Sequence, residues 1–277
     1  MIDAAIASVP IKKISPGKIS AEEDFLACEE PLEISLEFGE ENNRILKSIS
    51  VTMRTPGHDE ELAAGFLFTE GIIRQNDVLS FKHGSAANRI IVDFHGPSIP
   101  DLKKLERNFY TTSSCGVCGK SALESVRILA PAQSEKDDIE IHPDVFYSLA
   151  ASLRNAQDVF EQTGGLHASA LFDLAGNLHA VREDVGRHNA LDKLIGSLLI
   201  KGSLPLPENI LMLSGRASFE LIQKAAMAGI KVIAAVGAPS SFAAELAGEF
   251  DMTLIGFLRE NRFNIYSGEK RILLEKA

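Results

Sequence analysis

From residue 143 onward, strand-like and helix-like apolar segments alternate regularly, and that rhythm restricts this part of the chain to a layered α/β arrangement. A helix is predicted over 143–160, then strands over 168–173 and 178–182 joined across Ala175-Gly176-Asn177. A helix over 187–200 follows, then strand 210–213, helix 217–228, strand 231–236, helix 240–247 and strand 252–257.

The first part of the chain has another pattern. Apolar residues alternate over 31–38 and 45–53 around the turn-forming Gly39 to Asn43, which predicts a hairpin. Leu62, Ala63, Phe66 and Leu67 form a helical stripe within 58–69, behind the early acids Asp59, Glu60 and Glu61. A strand is predicted over 89–94. The resulting partition is a polar, frayed extension over 1–30 and a small α+β domain over 31–110. A thiol loop, a helix at 120–129 and a linker at 131–138 fill 111–138, and the α/β domain occupies 139–277.

The 277 residues are 45% hydrophobic and 24% charged, enough for one large core or two smaller ones. A net charge of -10 argues against nonspecific nucleic-acid binding, while a local basic pocket for a phosphorylated ligand remains compatible with it. No stretch approaches the roughly 18 consecutive apolar residues of a membrane span, and the start lacks a basic, apolar leader. A cytoplasmic protein is expected. Three cysteines form an odd set, so reduced thiols are expected.

Cys115 and Cys118 stand in Thr-Thr-Ser-Ser-Cys-Gly-Val-Cys-Gly-Lys, a small, polar, glycine-flanked stretch suited to accessible thiols. Three chemistries use such a pair. Structural zinc needs two more ligands, and the histidines include no H-x3-5-H spacing. A thioredoxin-type dithiol belongs to the first βαβ unit of its fold, whereas this pair follows a first domain. Sulfur carriage as a persulfide needs only mobility and reach. Cys118 lies nearer a helix start that favours a thiolate, and the spacing does not choose between the two cysteines.

Cys-Gly-Val-Cys-Gly at 115–119, Gly-Leu-His-Ala-Ser-Ala at 165–170 and Arg-Glu-Asp-Val-Gly-Arg-His-Asn-Ala-Leu-Asp-Lys-Leu-Ile-Gly at 182–196 resemble the FdhD family, accessory proteins of formate dehydrogenase. Ser214-Gly-Arg-Ala-Ser218, Thr253-Leu-Ile-Gly-Phe257 and the segment 65–73 agree with it. The resemblance implies a sulfurtransferase that takes sulfur from a cysteine desulfurase as a persulfide on Cys115, with Cys118 auxiliary. The sulfur goes to the molybdenum of Mo-bis(molybdopterin guanine dinucleotide) before that cofactor enters formate dehydrogenase. A homodimer is implied as well. The competing readings are a non-catalytic cofactor-binding chaperone and a CxxC dithiol oxidoreductase.

By the same resemblance the cofactor contacts fall on Phe257, Leu258, Arg259, Glu260, Asn261 and Arg262. The family more often has a Gly in the turn before the last Arg; Asn261 can adopt the positive φ that such a turn uses. Glu260 must face solvent to avoid repelling a phosphate. The second domain is expected to resemble cytidine deaminases in fold, as a three-layer α/β unit that has lost the metal chemistry. Ala190 stands where the catalytic Glu would be, and Gly215-Arg216-Ala217-Ser218-Phe219 lacks the Cys pair. No metal is therefore expected. His188, Ser214, Arg216 and Ser218 are further candidates for phosphate or a guanine edge, with Asp184, Gly186 and Arg187 shaping the same cleft. His188 has the alternative of a bond to Asp184 or Asp192, and His167 reads as a satisfied core histidine.

Overall fold

The computed structural model describes residues 2–84, 88–95 and 137–274. Cys115, Cys118, the helix expected at 120–129 and most of the linker at 131–138 lie outside these residues.

The chain opens with a short helix α1 (Ile2–Ala5) and a hairpin of β1 (Ile6–Ser15) and β2 (Lys18–Ala27), paired from Ile6↔Ala27 to Ser15↔Lys18. This replaces the frayed extension expected from the sequence. Ile14 and Ile19 are 77% and 72% exposed, so burial gives no signal for these strands. A full ladder and a Pro16-Gly17 turn, with Gly17 at φ 77°, form them instead.

A four-stranded sheet follows in the order β4-β3-β6-β5, built from β3 (Glu30–Glu40), β4 (Asn43–Arg54), β5 (Leu79–His83) and β6 (Arg89–Phe94). Leu32, Ile34, Leu36, Ile90 and Val92 face helix α2 (Asp59–Thr69) in one core. β5 was not anticipated; it is a five-residue edge strand whose Leu79 and Phe81 are only partly buried.

The second sheet runs β12-β11-β10-β9-β7-β8. Its strands are β7 (His167–Asp173), β8 (Leu178–Asp184), β9 (Asn209–Leu213), β10 (Val232–Ala235), β11 (Thr253–Arg259) and β12 (Arg262–Ser267). β9, β10 and β11 are parallel, and β7 is antiparallel to both of its neighbours. Side-chain alternation divides the sheet between two cores. Leu171, Leu211, Leu213, Ile233 and Leu254 pack under α5 (Arg187–Ile200), α6 (Phe219–Met227) and α7 (Ser241–Glu249). Ala170, Phe172, Ile210, Met212 and Ile255 pack under α3 (Pro143–Asn155) on the opposite face. The fold is thus mixed α/β, with helices on both faces of this sheet.

The helix expected over 143–160 is two helices, α3 and α4 (Asp158–Thr163). Glu183 accepts the N–H groups of Val159 and Phe160 at 3.1 and 2.9 Å, so a tertiary carboxylate starts α4 afresh. β12 was also unforeseen, since only Phe263 and Ile265 touch the core.

One core runs from the four-stranded sheet through α2 and α5 to the larger sheet. A Cβ on Gly65 would lie 1.9 Å from the Asp192 carbonyl oxygen, and one on Gly196 would lie 1.8 Å from that of Glu61. The two helices therefore cross backbone to backbone, which only paired glycines permit.

Candidate functional site

The carboxyl ends of β8, β9, β10 and β11 and the amino end of β7 share one edge of the larger sheet, the place where open α/β sheets bind ligands. Ser214 leaves β9 here. Its N–H donates to the Ala168 carbonyl at 3.0 Å and its Oγ accepts from Ala168 N–H at 2.8 Å, so the hydroxyl proton is left to point elsewhere. The next turns interlock: Gly237 N–H donates to Gly215 O at 2.9 Å, and Phe257 N–H donates to Gly237 O at 3.1 Å. Arg216 is exposed and makes no ion pair among the described residues.

His188, in the first turn of α5, places Nε2 2.8 Å from a Glu220 carboxylate oxygen and 3.3 Å from Ser218 Oγ. The carboxylate partner is therefore neither Asp184 nor Asp192. The His188 hydrogen bond holds the Glu220 carboxyl below its ordinary range against the upward push of burial. Glu220 was missed in the sequence, where its one signal was an acid in a first helical turn.

Asp184 and Asp192 are occupied elsewhere. Asp184 is fully buried and receives Lys193 Nζ at 2.7 Å, Gly186 N–H at 2.8 Å, and Thr55 N–H and Asn189 Nδ2 at 3.2 Å each. Lys193 also donates to the Thr55 carbonyl at 2.8 Å. The exit of β4 is thereby stitched to the end of β8 and the start of α5.

His167 is half-buried, and its ring has no hydrogen bond among the described residues, unlike the satisfied core histidine expected. Burial first, then the charges of Arg187 and His188, push its pKa down, so the imidazole is neutral near pH 7.

The segment 257–262 ends β11 and turns into β12. Phe257 sits at φ 52° and is 43% exposed, a strained backbone for a bulky residue. Positive φ therefore falls on Phe257 and not on Asn261. The register shift between Gly256 and Arg259 absorbs the twist, and Glu260-Asn261 close the hairpin without a left-handed residue. Leu258 is 1% exposed within the core under α3, so only its backbone can meet a ligand. Arg259 donates from Nη1 to the Val236 and Leu258 carbonyls at 2.8 and 2.7 Å. Arg262 is its partner in register, and both side chains are exposed, as is Glu260. Like charges directly opposite each other are unfavourable, and an anion between them would remove the penalty.

The structure thus draws His188 to Ser218 and joins Ser214, the loop of Arg216, Phe257 and Arg259 through neighbouring turns. Among the described residues no group of three or more His, Cys, Asp or Glu side chains could hold a metal ion. No helix among them is long and apolar enough to cross a membrane.

Comparison with known proteins bears on the whole of this arrangement. The FdhD/NarQ family model matches residues 27–273. A protein of Streptomyces avermitilis named sulfur carrier protein FdhD is 49% identical over 276 residues, covering 96% of this chain and 95% of that protein. One of the same name from Picrophilus torridus is 44% identical, covering 90% and 92%. A crystal structure from Desulfotalea psychrophila, described as a formate dehydrogenase accessory protein, superposes with a TM-score of 0.74 at 26% identity, covering 97% of this chain and 100% of that one. By the extent of the family match and by these identities, the chain belongs to the FdhD/NarQ family.

Proposed function

We propose that this protein is a sulfur carrier in the maturation of formate dehydrogenase. The observation that carries the reading is the near full-length match, at 49% identity, to a relative named sulfur carrier protein FdhD, beside the solved structure described as a formate dehydrogenase accessory protein. In the finer form of this reading, the Cys115 thiolate attacks the terminal sulfur of a cysteine desulfurase persulfide. A new S–S bond forms at Cys115 and the donor leaves as its thiolate, with no net oxidation. The sulfur is destined for the molybdenum of Mo-bis(molybdopterin guanine dinucleotide), which this protein binds as substrate. Attack by Cys118 on the inner sulfur would release sulfide and leave a Cys115–Cys118 disulfide, which balances the electrons of delivery.

The strand-end residues fit the nucleotide part of that substrate. Arg216, Arg259 and Arg262 supply guanidinium groups for phosphate, and Ser218 at the start of α6 adds a hydroxyl. The strand order β8-β7-β9-β10-β11 between helical layers is compatible with a deaminase-like scaffold. Its chemistry is lost at the residues: Ala190 is buried in place of a general acid/base, and the turn into α6 has no thiol. A homodimer in the cytoplasm belongs to the same reading.

Incubation with a cysteine desulfurase and cysteine is expected to add about 32 Da to the peptide holding Cys115, read by mass spectrometry. Cys115→Ala should abolish the gain and formate dehydrogenase maturation while cofactor binding persists. Maturation that survives this substitution would favour the non-covalent chaperone instead.

A further inference from the structure

The β1–β2 hairpin lies outside the residues that the family model matches, which begin at 27, the last residue of β2. Its base is held. Cys28 N–H donates to the Ala5 carbonyl at 2.8 Å, and a Cβ on Gly165 would lie 3.6 Å from that of Ala27. Beyond the base no third strand joins the pair, most of β2 is exposed, and Ile14 faces Ile19 across the exposed tip. Two strands alone are at best marginally stable in water, so an arm of this length calls for a covering surface.

Strand β4 offers one. It is twelve residues long, pairs only with β3, and carries Ile45, Leu46, Val51 and Met53 exposed along the open edge of the smaller sheet. A long apolar edge is a template for an added strand. The charges say which strand. β4 contains Arg44, Lys47 and Arg54 and no acid. Arg44 is engaged by Asp93 and Arg54 by Asp59, whereas Lys47 has no ion pair among the described residues. A second β4 laid on the first would bring like charges together; an acidic strand would not. β2 is that strand, with Glu22, Glu23 and Asp24 followed by the exposed Phe25 and Leu26. Lys13 takes Glu22 at 3.2 Å, but Glu23 meets only the Ser8 hydroxyl at 3.3 Å, and neither it nor Asp24 has a cation among the described residues.

These two strands cannot meet within one copy. Asn189 Nδ2 donates to the Met53 carbonyl at 2.8 Å, which closes the β4 edge at the end nearest the base of the hairpin. Setting Glu23 opposite Lys47 puts Ala27 opposite Val51 or Asn43, according to strand direction, and so about 14 Å or more from Glu30 across the sheet. The three links from Ala27 to Glu30 reach about 11 Å at most. We propose that β2 of one copy pairs with β4 of a second, Glu23 opposite Lys47, in a reciprocal exchange that lays each arm along the other copy's smaller sheet. This goes beyond the homodimer attached to the sulfur-carrier reading by assigning it a surface, and it stands on the chemistry of the arm, not on the thiols.

The test is sedimentation equilibrium of the full-length protein in wild type, Lys47→Glu, Glu23→Lys and the double variant. Wild type should be a dimer. Each single reversal, felt at two contacts per dimer, should weaken association about tenfold or more with an unchanged circular dichroism spectrum, and the double variant should recover most of the loss. Under mild oxidation, Glu23→Cys chains mixed with Lys47→Cys chains should yield a peptide pair linked between positions 23 and 47, read by mass spectrometry, and neither variant alone should yield it. If a charge variant loses its spectrum, the mixed cysteine variants decide. A dimer indifferent to both reversals, a double variant no tighter than the single ones, or a mixture without the 23–47 link overturns the proposal. A monomeric wild type overturns it together with the homodimer, while the sulfur-carrier reading is judged separately by the mass gain at Cys115.

Discussion

Phe257 is the residue whose backbone costs most for its type: an aromatic residue at φ 52° where glycine would be at ease. Phe257→Gly should therefore raise stability, by about 1 kcal/mol in urea denaturation, while weakening nucleotide binding if the ring contacts the ligand. Glu61 shows the opposite economy. Burial alone would raise its pKa, but Arg182 and then His58 hold it at about 2 against an ordinary 4.5. Its folded value lies below its unfolded one, so its contribution is complete above about pH 4.5 and is lost as the pH falls towards 2. Glu61→Gln should remove on the order of 2 kcal/mol at neutral pH and flatten the acid limb between those values, as followed by circular dichroism. At this scale the sequence was only partly readable. The arginines at 259 and 262 were singled out through the family resemblance and not by their spacing, whereas the Glu220–His188 contact and the strain at Phe257 depend on the folded chain.

Among the elements, the α2–α5 crossing is the contact least able to yield. Gly196→Ala puts a methyl group against the Glu61 carbonyl at a separation no real structure tolerates, so the helices must part. A loss of about 3 kcal/mol or more is expected in chemical denaturation, whereas Gly202→Ala tests positive φ alone, since a Cβ there meets nothing within 4 Å. Helix α5 and strand β6 match the bounds expected from the sequence, α5 as an apolar-rich segment opened by the turn at Gly186 and β6 as a short run rich in Ile and Val. The edge strands β5 and β12 and the exposed β1–β2 hairpin were not foreseen, because edge pairing is stabilised by backbone bonds more than by buried side chains. The split of α3 from α4 was hidden for a related reason: Glu183, on β8, decides it.

Across the whole molecule, Lys224 ties together segments far apart in sequence. It is buried, donates to Asp192 at 3.0 Å and Thr69 at 2.8 Å, and pairs with Glu70 at 3.1 Å. Burial would lower its pKa, yet Asp192 and Glu70 push it up to about 12, so the ammonium is held across the working pH range. Lys224→Met should cost roughly 3–5 kcal/mol by stranding a buried carboxylate, and adding Asp192→Leu should restore much of it. Calorimetric Tm values for the single and double variants decide the point. The crossing of α2 on α5 has a mechanical corollary. Two backbones in hard contact leave no play, so tilting the smaller sheet must carry the strand ends of the larger one with it, as a lever moves its far arm.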